Sequence, residues 1–100
     1  MAYVVYEVDT FSRIYEALDG SERKWIDKTK ENLIENSAGK VLRFNWFREK
    51  RYLNKRLYFI VDENLKKILI IDFSSKKDQQ IVIDTIIKNM DELLDLLKRI

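Results

Sequence analysis

Lys40, Arg43, Arg48, Lys50, Arg51, Lys55 and Arg56 all fall within GKVLRFNWFREKRYLNKRLYF, residues 39–59, where the only acid is Glu49. Guanidinium groups grip oxyanions bidentately and ammonium groups add point charge, so the chemistry this cluster offers is the binding of a polyanion. Phe44, Trp46, Phe47, Tyr52, Tyr58 and Phe59 are threaded through the same stretch. Seven bases against one acid put residues 40–56 at +6 in a chain whose formal charge is +2, which leaves the remainder at −4. Segregation of this kind is a local electrostatic footprint.

Other chemistry is narrowed by what the composition lacks. The 100 residues include no Cys and no His. That removes disulfides, thiolate ligands, the commonest metal ligand and the commonest general base. Catalysis would have to use Lys, Arg, Tyr, Ser, Asp or Glu. No loop carries the closely spaced acids of a carboxylate cage, so neither a metal nor a cofactor is expected. Hydrophobic content of 46% and charged content of 36% describe one soluble globular domain over residues 1–100. The apolar runs are too short for a membrane span. MAYVVYEVDTF has acids where a signal peptide needs bases, so a cytoplasmic location is expected.

The elements that must position the basic cluster follow from pattern. AYVVYEVD alternates and predicts a strand over residues 2–8. Asp9 or Thr10 can cap a first helix with Phe11, Ile14, Tyr15 and Leu18 on one face. Ser21 can cap a second, over residues 21–36, that turns Trp25, Ile26, Thr29 and Leu33 inward, and Gly39 is placed to end it in the left-handed conformation. Three further strands are predicted over 41–47, 55–63 and 67–73, the last apolar enough to be covered on both faces. In the first of these, Leu42, Phe44 and Trp46 alternate with Arg43 and Asn45; Phe44, Trp46 and Phe59 are expected in the core. REKRYLNK, residues 48–55, has no glycine for a two-residue turn and is expected to protrude as a basic connection. Ser75 and Asp78 have capping-box spacing before a terminal helix whose stripe runs from Ile83 to Leu97. The order β-α-α-β-β-β-α predicts an α+β domain: an antiparallel curved sheet flanked by an N-terminal helical hairpin and a C-terminal helix.

Three stretches, YVVYEVDTFSRIYEALD, ERKWIDKTKENLIENSAGKVLRF and KRLYFIVDENLKKILIIDFSSKK, resemble in order and spacing the RelE/ParE superfamily of toxin–antitoxin toxins over essentially the whole chain. The resemblance implies a RelE-like toxin inhibited by a cognate antitoxin protein. In the RelE branch the implied activity is metal-independent cleavage of messenger RNA at the ribosome, which makes messenger and ribosomal RNA the expected partners. Arg56 matches the family's strand arginine, which contacts the scissile phosphate. Arg43 falls near a family lysine on the preceding strand, and Asn45 stands where a second lysine would be. Lys76 and Lys77 match the basic turn after the last strand. No tyrosine follows Tyr58, so the family's C-terminal tyrosine has no counterpart.

Metal-free RNA cleavage needs a group to take the 2′-OH proton, charge stabilisation at phosphorus and a proton for the leaving oxygen. Arg56 and Arg43, on neighbouring strands, are assigned to the phosphate. Lys55, Lys76 and Lys77 are candidate bases, since crowding by other cations lowers a lysine pKa. Tyr58, on the same face as Arg56, can stack a base or handle a proton. Lys40, Arg48, Lys50, Arg51 and Lys55 are assigned to RNA binding. Arg56 read structurally would instead be the exposed partner of Glu63 or Asp72. The missing tyrosine keeps two further readings open, a ParE-like toxin acting on gyrase without cutting RNA, and a catalytically degenerate RelE-fold binding module.

Overall fold

The computed structural model describes residues 2–100. Strand β1 (Val4–Glu7) leads to helices α1 (Phe11–Glu16) and α2 (Gly20–Glu35). Strands β2 (Lys40–Val41), β3 (Phe47–Tyr52), β4 (Lys55–Asp62) and β5 (Lys67–Ser75) follow. A 3-10 turn (Lys76–Asp78) then opens helices α3 (Gln79–Lys88) and α4 (Met90–Arg99). The expected α+β architecture is present, a curved open sheet in the order β1-β5-β4-β3-β2 with helices on both faces. One pairing departs from the antiparallel expectation: β1 runs parallel to β5, in the register Val4↔Lys67 to Glu7↔Ile70.

Alternation along β4 explains the two layers. Leu57, Phe59 and Val61 point to one face and pack with Phe11, Ile26 and Leu33 of α1 and α2. Tyr58 and Ile60 point to the other and pack with Phe47, Ile86 and Leu97 under α3 and α4. Ile68, Leu69 and Ile70 are likewise divided between the faces, which is why the central strands read as continuous apolar runs. Truncating any of these fully buried leucines or isoleucines to alanine costs about 2–5 kcal/mol. Among the described residues no helix is long and apolar enough to cross a membrane.

Helix α2 starts at Gly20, one residue before the Ser21 expectation. The Asp19 carboxylate accepts from the Glu22 amide at 2.8 Å, and the Glu22 carboxylate accepts from the Asp19 amide at 3.0 Å, a reciprocal cap. The helix ends in extended backbone at Asn36, and Gly39 is not left-handed. Glycine is needed at 39 for a different reason: a Cβ there would lie 2.8 Å from the Phe59 ring and 3.0 Å from the Glu49 carbonyl oxygen. The terminal helix is two helices broken at Asn89, whose side chain donates to the Thr85 carbonyl at 2.9 Å. Ser75 donates to Asp78 at 3.1 Å but caps no backbone group, and the 3-10 turn takes the place of the expected box.

The largest correction lies between residues 41 and 56. The strand expected over 41–47 shrinks to Lys40–Val41, and residues 42–46 turn, closed by Phe47 N donating to Phe44 O at 3.0 Å. The connection expected to protrude is strand β3 itself. It is joined to β4 by a two-residue turn at Leu53 and Asn54, with Leu53 at φ 54° and 77% exposed. Two of its four charges, Arg48 and Glu49, meet partners, while Lys50 and Arg51 line an open groove. Arg48 donates to Ser37 O at 2.8 Å and lies 3.3 Å from Glu63, while Glu49 is enclosed by groups from β4 and α3.

Candidate functional site

Strand β2 pairs only with Arg48 and Glu49, so the edge of β3 from Lys50 to Tyr52 carries no neighbouring strand. An open groove of about 760 Å³ lies there. Trp25, Thr29 and Asn32 of α2 form one wall, and Lys76 and Gln79 the other. Lys40, Lys50, Arg51 and Arg56 line it with them, so five cations face a single carboxylate, Glu49.

Arg56 sits in the floor, 6% exposed. Its Nε lies 3.5 Å from Glu49 Oε2 and its Nη1 donates to Lys55 O at 3.1 Å. Glu49, 5% exposed, also accepts from Gln79 Nε2 at 2.7 Å. Arg51 lies directly across from Arg56 on β3, and like charges in that relation are unfavourable. Burial lowers the Lys50 ammonium below the usual lysine range. Two residues along β4 from Arg56, Tyr58 is fully buried, and its hydroxyl and that of Ser74 have no hydrogen-bond partner among the described residues. Burial, with Glu49 nearby, pushes the Tyr58 phenol up to about 12. Lys76 is held at the rim by its backbone amide, which donates to Asn54 O in the β3–β4 turn at 2.7 Å.

No family model and no curated protein matches the chain. Solved structures do. A mutant of the E. coli toxin RelE in the free state aligns with a TM-score of 0.70 at 15% identity, over 82% of this chain and 92% of that one. The RelBE2 toxin–antitoxin complex of Mycobacterium tuberculosis aligns at 0.64 and 19% identity, over 75% and 99%. The intact E. coli RelBE toxin–antitoxin complex aligns at 0.65 and 14% identity, over 74% and 96%. The chain has the RelE fold. On this RelE-fold scaffold the groove is the place where the predicted cations converge, but only some of them reach it.

Arg56, Lys76, Lys40, Lys50 and Arg51 line the groove. Arg43 does not: it stands in the 42–46 turn with an exposed side chain, 3.8 Å from Asp84 of α3. The expected pairing of Arg43 with Arg56 on adjacent strands is therefore replaced by Arg51 with Arg56. Arg48 is turned to the α2 face by Ser37 and Glu63. Lys55 pairs with Glu22 and lies over the Phe73 ring at 5.4 Å. Lys77 is exposed outside the groove lining, and Tyr58 lies beneath the floor. Arg56 does have an acidic partner, but the partner is Glu49 and the pair is buried, in place of the exposed contact with Glu63 or Asp72. Phe59 is core as expected, Trp46 half-buried and Phe44 38% exposed.

Gln79 stands near the position where the resemblance puts the family's C-terminal tyrosine, and Glu49, read from sequence only as the single acid of its stretch, is the groove residue given no role there. A signal existed: Phe47, Glu49 and Arg51 alternate onto one face once residues 47–52 are taken as a strand.

Proposed function

We propose that this chain is a RelE-like toxin whose groove holds the RNA backbone, cleaves it without metal and is covered by a cognate antitoxin. The observation that carries the reading is the Arg51–Arg56 pair across two adjacent strands. Glu49 balances one of the two charges, and an arriving phosphate would balance the other. With a phosphate held by these two groups, Glu49 is the carboxylate beside it. Glu49 takes the 2′-OH proton, the 2′-oxygen bonds to phosphorus, and the P–O5′ bond breaks. The Lys76 ammonium protonates the leaving oxygen, giving a 2′,3′-cyclic phosphate and a 5′-hydroxyl. The antitoxin assignment is supported by the fold neighbours that are toxin–antitoxin complexes.

The test is induction of the chain in a bacterium with growth and messenger RNA integrity followed together. Arrest with cleaved RNA is expected, and loss of both with Arg51→Ala or Glu49→Gln in protein that stays folded. Arrest with intact RNA overturns the nuclease reading. A second reading, a binding toxin that inhibits gyrase without cutting RNA, is favoured by one observation: the Tyr58 hydroxyl is sealed away and no tyrosine follows it. Inhibition of gyrase supercoiling by purified protein, with RNA left intact, supports that alternative.

A further inference from the structure

At the opposite end of β3 from the Arg51–Arg56 pair stands an aromatic ledge that the cleavage reading does not use. Phe44 and Trp46 stack with ring centroids 5.0 Å apart and planes 7° from parallel. Trp46 stacks in turn on Phe47, at 5.9 Å and 18°. Phe47 is fully buried, Trp46 half-buried and Phe44 38% exposed, so the three rings form a pile that rises from the core and presents its last ring to solvent. An exposed phenylalanine gains nothing from water. One mounted on a rigid stack is a flat, preordered platform.

Charge places the platform on the path of a polyanion. Arg43 is the next residue in the chain, and its side chain is exposed near Asp84. Lys40, at the start of the same short segment, lines the groove. Helix α3 ties the two places a second time. Gln79 lines the groove and Asp84 faces Arg43, five residues apart, a rise of about 7.5 Å along the helix. Phe47 and Arg51 are four residues apart on β3, so the ledge stands roughly 13 Å along the strand from the Arg51–Arg56 pair, a separation bridged by a run of linked nucleotides and not by adjacent ones.

We propose that the Phe44–Trp46 ledge is a base-stacking subsite for single-stranded RNA, with Phe44 taking the base and Arg43 the adjoining phosphate. It rests on the groove's binding an RNA backbone and adds a contact to the base. Every base offers a π-face, so the subsite demands an unpaired nucleotide and not a particular one.

The experiment measures binding of a fluorescent 2′-O-methyl oligoadenylate, which cannot be cleaved, and of an abasic strand of equal length. Phe44→Ala is expected to weaken the oligoadenylate on the order of 10-fold and to leave the abasic strand unchanged. The slope of log K against log salt stays the same, because stacking releases no counterions. Phe44→Trp keeps wild-type affinity, which separates stacking from a folding defect. Arg51→Ala serves as the groove control, weakening both strands and reducing the salt slope by about 1. If Phe44→Ala acts equally on both strands or on neither while Arg51→Ala behaves as stated, the ledge is not a subsite and the groove reading stands. If the wild-type protein binds neither strand at low salt, groove and ledge fall together.

Discussion

The Arg56 guanidinium and the Glu49 carboxylate form an ion pair at 3.5 Å with both side chains almost wholly buried. Each is the other's compensation. A buried pair is weak evidence for stability as a whole, yet removing one partner strands an uncompensated charge. Arg56→Ala is therefore expected to destabilise the fold by about 3–5 kcal/mol. The double variant Arg56→Ala with Glu49→Ala should lose much less than the sum of the single variants. Urea denaturation of the four proteins reads the coupling; strict additivity would mean that the two groups do not depend on each other. For the same reason, loss of activity in Arg56→Ala alone says little about phosphate contact, and Arg51 is the better probe of the groove.

Tyr58 gives a pH dependence with a definite sign. Its phenol is raised from 10.0 to about 12 in the folded protein, so the unfolded chain releases this proton first as pH rises. The stability it contributes is full below about pH 10 and is lost between about 10 and 12, some 2–3 kcal/mol in all. Wild type should lose that much more than Tyr58→Phe over this range in alkaline denaturation. At neutral pH, Tyr58→Phe should equal or exceed wild type, because it removes a buried hydroxyl that has no partner. An alkaline loss equal in both proteins would refute the assignment.

Gly39 sits where the chain passes under the groove's rim. Alanine there would press on the Phe59 ring at 2.8 Å and on the Glu49 backbone at 3.0 Å. Overpacking of this kind costs about 1–3 kcal/mol. Thermal melting of Gly39→Ala checks it, and an unchanged melting temperature would mean that the backbone yields freely.

Leu53 should respond in the opposite direction. A leucine at φ 54° carries about 1–2 kcal/mol of left-handed strain, and at 77% exposure it buries little in return. Leu53→Gly removes the strain and gives back about 0.5–1 kcal/mol in unfolded-state entropy. A net gain of about 0.5–1 kcal/mol follows, seen as a melting temperature raised by a few degrees.

These residues also show what was legible in the sequence. Strands β1, β4 and β5 and helix α2 are announced by β-branched alternation and helical spacing that no partner contradicts. Strand β3 is not, because its positions 48–51 are all charged, and the partners of Arg48 and Glu49 come from Ser37, Arg56, Glu63 and Gln79, scattered along the chain. The tight turn after it was hidden by Leu53, which adopts a backbone conformation that glycine would have advertised. Displacing that strand moved Arg43 out of the site and put Arg51 in its place. The groove's charge could be read from composition; which guanidinium stands opposite Arg56 could be read only from register.

The parallel pairing of β1 with β5 has a consequence for synthesis. Val4 waits for Lys67, 63 positions later, before its strand has a neighbour. Closing so large a loop is entropically costly, and distant pairings form slowly. A nascent chain that has emerged as far as β4 carries an orphaned first strand, and the wall made by Lys76 and Gln79 does not yet exist. The basic groove is thus complete only once the chain through residue 79 is free to fold.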